Sequence, residues 1–167
     1  MTMEATPRWG LPQLFAGQAQ KEIFHNEALA RIDMLLHGQA ESADESTPPS
    51  APAFGQCWIV AGGATGEWAG REGAVACWTE GGWRFTAPRP GLRLWVADRG
   101  YSMSHDGDGW RDGPVRGDGL YVEGLRVAGP RQPVIADPAG GTDPDLEARS
   151  AIGSILSAMR VHGLIDS

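Results

Sequence analysis

The sequence predicts an α+β protein with an N-terminal helix, a small antiparallel sheet or barrel-like middle, and a C-terminal amphipathic helix. Short runs rich in Val, Ile, Trp and Phe alternate with glycine-rich turns through the middle of the chain. Helix-prone segments with few breakers flank this region on both sides. The 24 glycines and 12 prolines supply close to a fifth of the 167 residues, against roughly 12% in an average protein. Such a turn-dense chain favours short strands over long helices between its two ends.

Residues 1 to 10 form an irregular lead-in that contains Trp9, and residues 11 to 38 are predicted to be helical. Pro12 suits the first turn, no further proline follows, and Gly38 suits the C-terminal stop. We therefore interpret residues 1 to 38 as an N-terminal helical assembly segment.

The apolar residues of this helix fall on three overlapping stripes, so that its second half is apolar over most of its circumference. A helix of this kind is buried, which predicts packing between subunits of a homo-oligomer, a trimer or a pentamer. Buried amides there would fix the register by hydrogen-bonding across the oligomer axis. The alternative is a kink near His25, with Asn26 capping a second helix. The predicted assembly interface consists of Gln18, Gln20, Phe24, Asn26, Leu29, Ile32 and Leu36.

Residues 39 to 53 are acidic and rich in Ser, Pro and Ala, which predicts an exposed linker. Residues 54 to 128 form the predicted β domain. Its strands correspond to CWIVA, AVACW, WRFTA, LRLWVA and LYVEGLRV.

Residues 129 to 167 are interpreted as a loop and a C-terminal helix. Thr142 or Asp143 is expected to cap the helix, with Pro144 in its first turn. One face carries a stripe at helical spacing, which must be buried in this domain or against a neighbouring subunit. The stripe consists of Ala148, Ile152, Ile155, Leu156 and Met159.

Seven tryptophans are many for a chain of this length. Those inside apolar strands, Trp58, Trp78 and Trp95, are expected in the core. Those beside glycine turns, Trp68, Trp83 and Trp110, are expected to be exposed and are candidate carbohydrate contacts, because indole faces stack on sugar rings. The competing interpretation is that a small glycine-rich sheet needs large side chains for its core.

Other site chemistries find little support. HDGDGW, which begins at His105, resembles a calcium loop, but counting from Asp106 puts Gly117 where a bidentate Glu is needed. No spacing of a nucleophile with its base, no paired carboxylates and no phosphate loop is recognisable. We therefore expect no enzyme, no catalytic residue, no metal and no cofactor. Cys57 and Cys77 are most simply small apolar strand residues, and a bridge between them stays open.

Charge and hydropathy limit the partners and the location. A net charge of −7 and a pI near 5.0 argue against nucleic-acid binding. No signal peptide is recognisable at the N-terminus, and no apolar run approaches the roughly 20 residues of a membrane span. The chain is expected to be made in the cytoplasm and to have no membrane partner.

Three motifs resemble one family of domains of uncharacterised function, found in alphaproteobacterial prophages and gene transfer agents. They are RWGLPQLFAGQAQKEIFHNEALARIDMLLHG, then CWIVAGGATGEWAG with GGWRFTAPRPG, then GPRQPVIADPAGG with DLEARSAI and ILSAMRVHGLI. The resemblance implies a structural part of a released phage-like particle, a head spike or tail fibre, and implies no catalytic residues. The large receptor-binding region of the longest members is missing from this chain, which favours a base or adaptor.

The expected function is that of a non-enzymatic oligomeric adaptor that contacts other capsid, spike or fibre proteins and links the particle to a host-binding fibre. The alternative is a lectin-like module that binds host capsular polysaccharide through Trp68, Trp83 and Trp110.

Overall fold

The structure, a computed structural model, describes residues 5–14, 21–141, 145–161 and 164–166. It confirms the predicted α+β class. The chain divides into two compact units, Met1–Gly113 and Pro114–Ser167, whereas the sequence placed the end of the β domain at residue 128. Each unit is described by itself.

The described residues of unit 1 form one helix, seven short strands and a 3-10 turn at Gly66–Trp68. Their bounds are α1 Lys21–Leu35, β1 Gln39–Ala40, β2 Cys57–Ile59, β3 Val75–Thr79, β4 Gly82–Thr86, β5 Arg93–Val96, β6 Tyr101–His105 and β7 Trp110–Asp112.

These strands form two sheets rather than one. Strands β2, β3 and β4 make an antiparallel meander, while the other sheet has the order β1-β5-β6-β7. Strand β1 runs parallel to β5, with Gln39 opposite Trp95, so the sheet is not wholly antiparallel. The described sheets do not close into a barrel, and the barrel-like expectation is wrong.

Alternation along β2 and β3 gives unit 1 two apolar clusters. Cys57, Ile59, Val75 and Cys77 point to one face, where they join Met34 of α1 and Leu94, Val96 and Met103 of the second sheet. Trp58, Val60 and Ala76 point to the opposite face, where they pack with Trp68. Successive strand residues face opposite sides, so the meander is buried on both.

Helix α1 differs from its prediction. Residues 11–14 are not helical, and residues 15–20 lie outside the described residues. The helix buries one face, through Asp33 and Met34, and leaves Phe24 and Ile32 exposed. Within one chain the sheets of unit 1 therefore cover α1 from one side only. Burial of its outer side between subunits stays a prediction.

The end of α1 also has a different cause from the one predicted. His37, with φ of +45°, takes the left-handed conformation that ends the helix. Gly38 follows with a negative φ, and a Cβ there would overlap the Leu94 side chain. Gly38 therefore serves close packing against β5 rather than the helix stop.

The N-terminal lead-in is fastened to this end of the helix. Arg8 donates hydrogen bonds to the carbonyl oxygens of Asp33 at 2.9 Å and Met34 at 2.8 Å, and Trp9 Nε1 donates to Leu36 O at 2.9 Å. The last carbonyls of a helix lack partners within it, and a cation there also suits the helix dipole. The lead-in thus caps α1.

Residues 39 to 53 are not an exposed linker. Ala40 and Ser42 are buried, and the backbone amides of Glu41 and Ile59 bond across to Cys57 O and Ser42 O at 2.7 and 3.0 Å. Arg99 adds an ion pair to Asp44 at 2.5 Å. The start of this segment therefore pairs with the outer edge of β2.

Unit 2 contains β8 Val115–Arg116, β9 Gly119–Val122 and β10 Leu125–Ala128 in an antiparallel sheet, and helix α2 Leu146–Val161. The helix is capped by Asp145, whose carboxylate accepts a 2.8 Å hydrogen bond from the amide of Ala148. The predicted caps Thr142 and Asp143 lie outside the described residues. Neither described helix is long and apolar enough to cross a membrane.

Candidate functional site

The outer face of α1 carries an apolar stripe that we call the helix-1 stripe, formed by Phe24, Ala28, Ile32 and Leu36. These residues recur every four positions and lie on one side of the helix. Phe24 is 81% exposed, Ile32 50% and Leu36 42%. A shallow hollow of about 330 Å³, lined by Arg31, Ile32, Leu35 and Leu36, lies at its C-terminal end.

The predicted assembly residues other than Asn26 separate into three groups. Phe24, Ile32 and Leu36 are exposed, and Leu29 is half-buried. Gln18 and Gln20 lie outside the described residues. Three predicted residues are thus available for contact with another chain.

Asn26 has a role within the chain instead. Its side-chain oxygen accepts from the amide of Leu14, and its side-chain nitrogen donates to the carbonyl of Leu14, both at 3.0 Å. The kinked alternative is wrong, since α1 runs unbroken through Asn26. The side-chain oxygen and nitrogen of Asn26 each bond to Leu14 of the same chain, and its register-fixing role between subunits stays a prediction.

Unit 2 buries little of its apolar surface. Among its described residues only Leu156 and Ile165 are buried hydrophobics. On the predicted α2 stripe Met159 is half-buried, but Ile152 is 44% exposed and Ile155 59% exposed, and Ala148 is exposed as well. Further exposed apolar residues of the sheet are Val115, Leu120, Val122, Leu125 and Val127.

The tryptophans are arranged differently from the prediction. Trp68 is fully buried and packs edge-on to Trp83, with ring centroids 5.1 Å apart, and beside Trp58 at 6.1 Å. Trp83 is half-buried, and Trp95, expected in the core, is 48% exposed. The expectation that Trp68 is exposed is wrong, because the 3-10 turn folds its indole onto the otherwise open face of β2–β4.

Trp110 is half-buried at the wall of a cleft of about 510 Å³, which we call the Trp110 cleft. Trp110 Nε1 donates a 2.8 Å hydrogen bond to Gly73 O, and the His105 ring meets its face edge-on at 5.5 Å. Glu72 and Asp108 add carboxylates to the lining. The Glu72 carboxylate already accepts a 3.1 Å bond from the amide of Ala64.

Asp106 anchors the turn between β6 and β7. Its carboxylate accepts from the amides of Gly109 and Asp108, both at 2.9 Å, and from Arg111 at 2.6 Å. These donors hold the pKa of Asp106 well below its usual range. Within the described residues, no group of three or more His, Cys, Asp or Glu side chains is placed to hold a metal ion.

The fold and these surfaces define a small α+β module with an unpartnered apolar helix face and an aromatic cleft. Residues 25–111 match the family described as Protein of unknown function (DUF2793). This match spans just over half of the chain, which therefore belongs to that family. No curated protein matches the chain. The matched range runs from α1 to β7 and so falls entirely within unit 1.

Proposed function

We propose that this protein is a structural, non-enzymatic component of a phage-like, gene-transfer-agent particle. Within the particle the chain forms a homo-oligomer. This oligomer serves as the base or adaptor of a head spike or tail fibre, and it links the particle to a host-binding fibre. The resemblance of its three motifs to domains of prophages and gene transfer agents supports the setting. The exposed apolar surfaces support the role in assembly.

The observation that carries the proposal is the exposed apolar surface of unit 2. A unit of this length is marginal alone even with a good core, because small domains bury a small fraction of their surface. Here Leu125, at 72% exposed, and Ile155, at 59%, are in water. Large exposed apolar patches mark protein contacts in soluble proteins. Neighbouring copies of the chain would supply the missing core.

The helix-1 stripe supplies a second apolar surface, on the other unit. Phe24 and Ile32 lie two turns apart on the same face of α1. Apolar side chains placed in this way are the contacts by which a helix docks into an apolar groove of another protein. An adaptor needs contacts both to its own copies and to a different component. We assign the stripe to the contact with another capsid, spike or fibre protein.

Oligomerisation is tested by light scattering on the full chain. We expect a trimer or pentamer that Ile155→Glu converts to monomers, because a buried unpaired carboxylate costs several kcal/mol per interface. Ser157→Glu is the matched control, since it adds the same charge to an exposed position of the same helix. A wild-type chain that stays monomeric at all concentrations contradicts the proposal.

Membership of a particle is tested by epitope-tagging the chain in a producing strain and purifying the released nuclease-resistant particles. We expect the tag in the particle fraction, at a symmetric copy number, and at least tenfold less of it for Phe24→Ser. Phe54→Ser is the control, because Phe54 is an exposed aromatic residue of unit 1 outside the stripe. A tag that never co-purifies with particles would disprove the assignment.

A second candidate function, a lectin-like module for host capsular polysaccharide, rests on the Trp110 cleft. Of the three tryptophans expected to contact sugar, Trp110 is the one beside this cleft, which also offers His105 and Asp108 for hydroxyl groups. We expect Asp108→Ala to weaken capsule binding about tenfold, the usual effect of a lost hydrogen bond to a charged group. Glu67→Ala, exposed and outside the lining, is the control. Absence of binding by the wild-type protein would leave the adaptor alone.

A further inference from the structure

The two cysteines of the chain lie directly opposite each other on neighbouring strands. Cys57 of β2 is the register partner of Cys77 of β3, and both side chains point to the same apolar cluster. Both are free thiols and nearly inaccessible, at 1% and 4% exposure.

The backbone hydrogen bonds on either side define the type of this pair. The amide of Trp78 donates to Gln56 O at 2.9 Å, and the amide of Val60 donates to Ala74 O at 3.0 Å. Hydrogen-bonded and non-hydrogen-bonded pairs alternate along an antiparallel ladder, which makes Cys57 and Cys77 a non-hydrogen-bonded pair. Such pairs have Cα atoms roughly 4.5 Å apart, within the roughly 4.4–6.8 Å range of disulfides. A bridge therefore requires no shift of either strand.

Formation of the S–S bond would break only weak hydrogen bonds of the two thiols. Each thiol has a long backbone contact, Cys57 Sγ to Gly55 O at 3.5 Å and Cys77 Sγ to Trp78 O at 3.9 Å. A thiol is a weak donor, and the surrounding cluster of Met34, Leu94 and Val75 is apolar. The bridge would replace two buried weak donors by an apolar S–S group.

The reduced pair is shielded from solvent in the folded state, because both side chains are almost fully buried. The hydrogen bond between the two thiols raises the pKa of Cys57, together with burial, and lowers the pKa of Cys77. Lack of access for an external disulfide, rather than lack of thiolate, therefore limits exchange. The residue 39–46 backbone also covers the outer edge of β2 through Glu41 and Ser42. Exchange with an external disulfide is therefore expected during folding, while the strands are still accessible, and not in the folded protein.

We propose that Cys57 and Cys77 are a disulfide-forming site, closed as the chain folds in the presence of a small disulfide. The chemistry uses one equivalent of oxidised glutathione. One cysteine thiolate displaces a glutathione thiolate to give a mixed disulfide, and the second cysteine thiolate displaces the other. Two reduced glutathiones leave, two protein thiol protons are released to them, and one S–S bond joins β2 to β3. This proposal is independent of the assembly role proposed above.

The test is refolding of the full chain from urea in a buffer of oxidised and reduced glutathione, with acid quenching and mass spectrometry. Trypsin cleaves after Arg31, Arg71 and Arg84, so the two cysteines fall on separate peptides, 32–71 and 72–84. We expect these peptides to be joined, with no glutathione attached. The equilibrium constant for bridge formation in the unfolded chain, measured in 8 M urea, is the reference value. Folding should raise the equilibrium constant for the bridge by roughly 100-fold, as expected for a loop of about 20 residues.

Because the cysteines are accessible to glutathione in the unfolded chain, failure to form the bridge cannot be blamed on lack of access. Free thiols at equilibrium, glutathione adducts on either peptide, links between two chains, or an equilibrium constant no higher than in urea would each overturn the proposal. The variant Cys57→Ala with Cys77→Ala is the control for thermal unfolding. Refolding in the glutathione buffer should raise the melting temperature of the natural chain by several degrees over the same chain refolded without oxidant. The melting temperature of the variant should be the same after either treatment.

Discussion

The hydroxyl of Thr6 donates a 2.6 Å hydrogen bond to the carboxylate of Asp33, across 27 positions of sequence, and both residues are buried. The same carboxylate accepts from the backbone amides of Arg8 at 3.1 Å and Trp9 at 2.7 Å. Asp33 thus organises the lead-in as a loop over α1. Charge-assisted bonds of this kind are among the stronger ones in proteins.

We predict that Asp33→Ala destabilises the protein by about 2–4 kcal/mol, since it leaves one buried hydroxyl and two backbone amides without their acceptor. Urea unfolding followed by tryptophan fluorescence measures this loss. Asp98→Ala is the control, because Asp98 is an exposed carboxylate in a turn of unit 1. Equal stability of the two variants would contradict the role assigned to Asp33.

Gly38→Ala should cost about 1–3 kcal/mol, because the added methyl group would overlap the fully buried Leu94 side chain. Gly62→Ala is a matched control: Gly62 also has an ordinary φ, and its Cβ would meet no atom within 4 Å. Leu94→Val in the Gly38→Ala background makes room and should recover part of the loss. If the free-energy losses of Gly38→Ala and Leu94→Val simply add in the double variant, residues 38 and 94 are not in direct contact.

The carboxyl of Asp106 should titrate below its ordinary value near 3.8, since the amides of Gly109 and Asp108 and the Arg111 guanidinium all favour its charged form. A depressed folded-state pKa stabilises the protein above the ordinary value, and that stabilisation is lost as the pH falls through the depressed one. The stability difference between the natural chain and Asp106→Asn should thus shrink from about pH 4 towards about pH 2. Carbon-13 NMR titration gives the pKa directly. Arg111→Ala should raise it only part of the way, because both amides remain.

Trp68→Ala is expected to destabilise unit 1 by about 3–5 kcal/mol, the usual cost of removing a fully buried tryptophan. Trp68→Phe should cost much less, because the indole N–H has no hydrogen-bond partner among the described residues and its loss removes no bond. Thermal unfolding of both variants provides the measurement. If Trp68→Ala folded normally and lost only glycan binding, the placement of Trp68 in the interior would be wrong.

Sequence patterns predicted the positions of strands in the middle region where apolar runs alternate with glycine turns. β2 and β5 lie within predicted runs, and β3, β4 and the β9–β10 hairpin overlap theirs to within one residue at an end. The runs did not include β1, β6, β7 or β8. In β6 the Ser, Met and His residues lack the bulk typical of strands, and pairing with β5 through four register pairs holds it instead. A polar strand of this kind is fixed by its neighbours.

The candidate site was predicted in part. Helical spacing singled out Phe24, Ile32 and Leu36 as apolar positions of α1. It did not show that they lie on its exposed side, since that depends on which side the sheets cover. It could not tell which amides were free: Asn26 is occupied by Leu14, twelve positions away. Proximity to a glycine turn likewise failed for Trp68, since a turn can fold its side chain inward.

The sequence by itself determined the α+β class, most positions of the longer strands and the spacing of the α2 stripe, because these follow from local periodicity and turn chemistry. Only the tertiary structure decided that residues 39 to 53 pack against β2, that Thr6 and Arg8 meet α1, and that Cys57 faces Cys77. Those relationships join segments distant in the chain. They depend on how two sheets and a helix share one core, which no local pattern encodes.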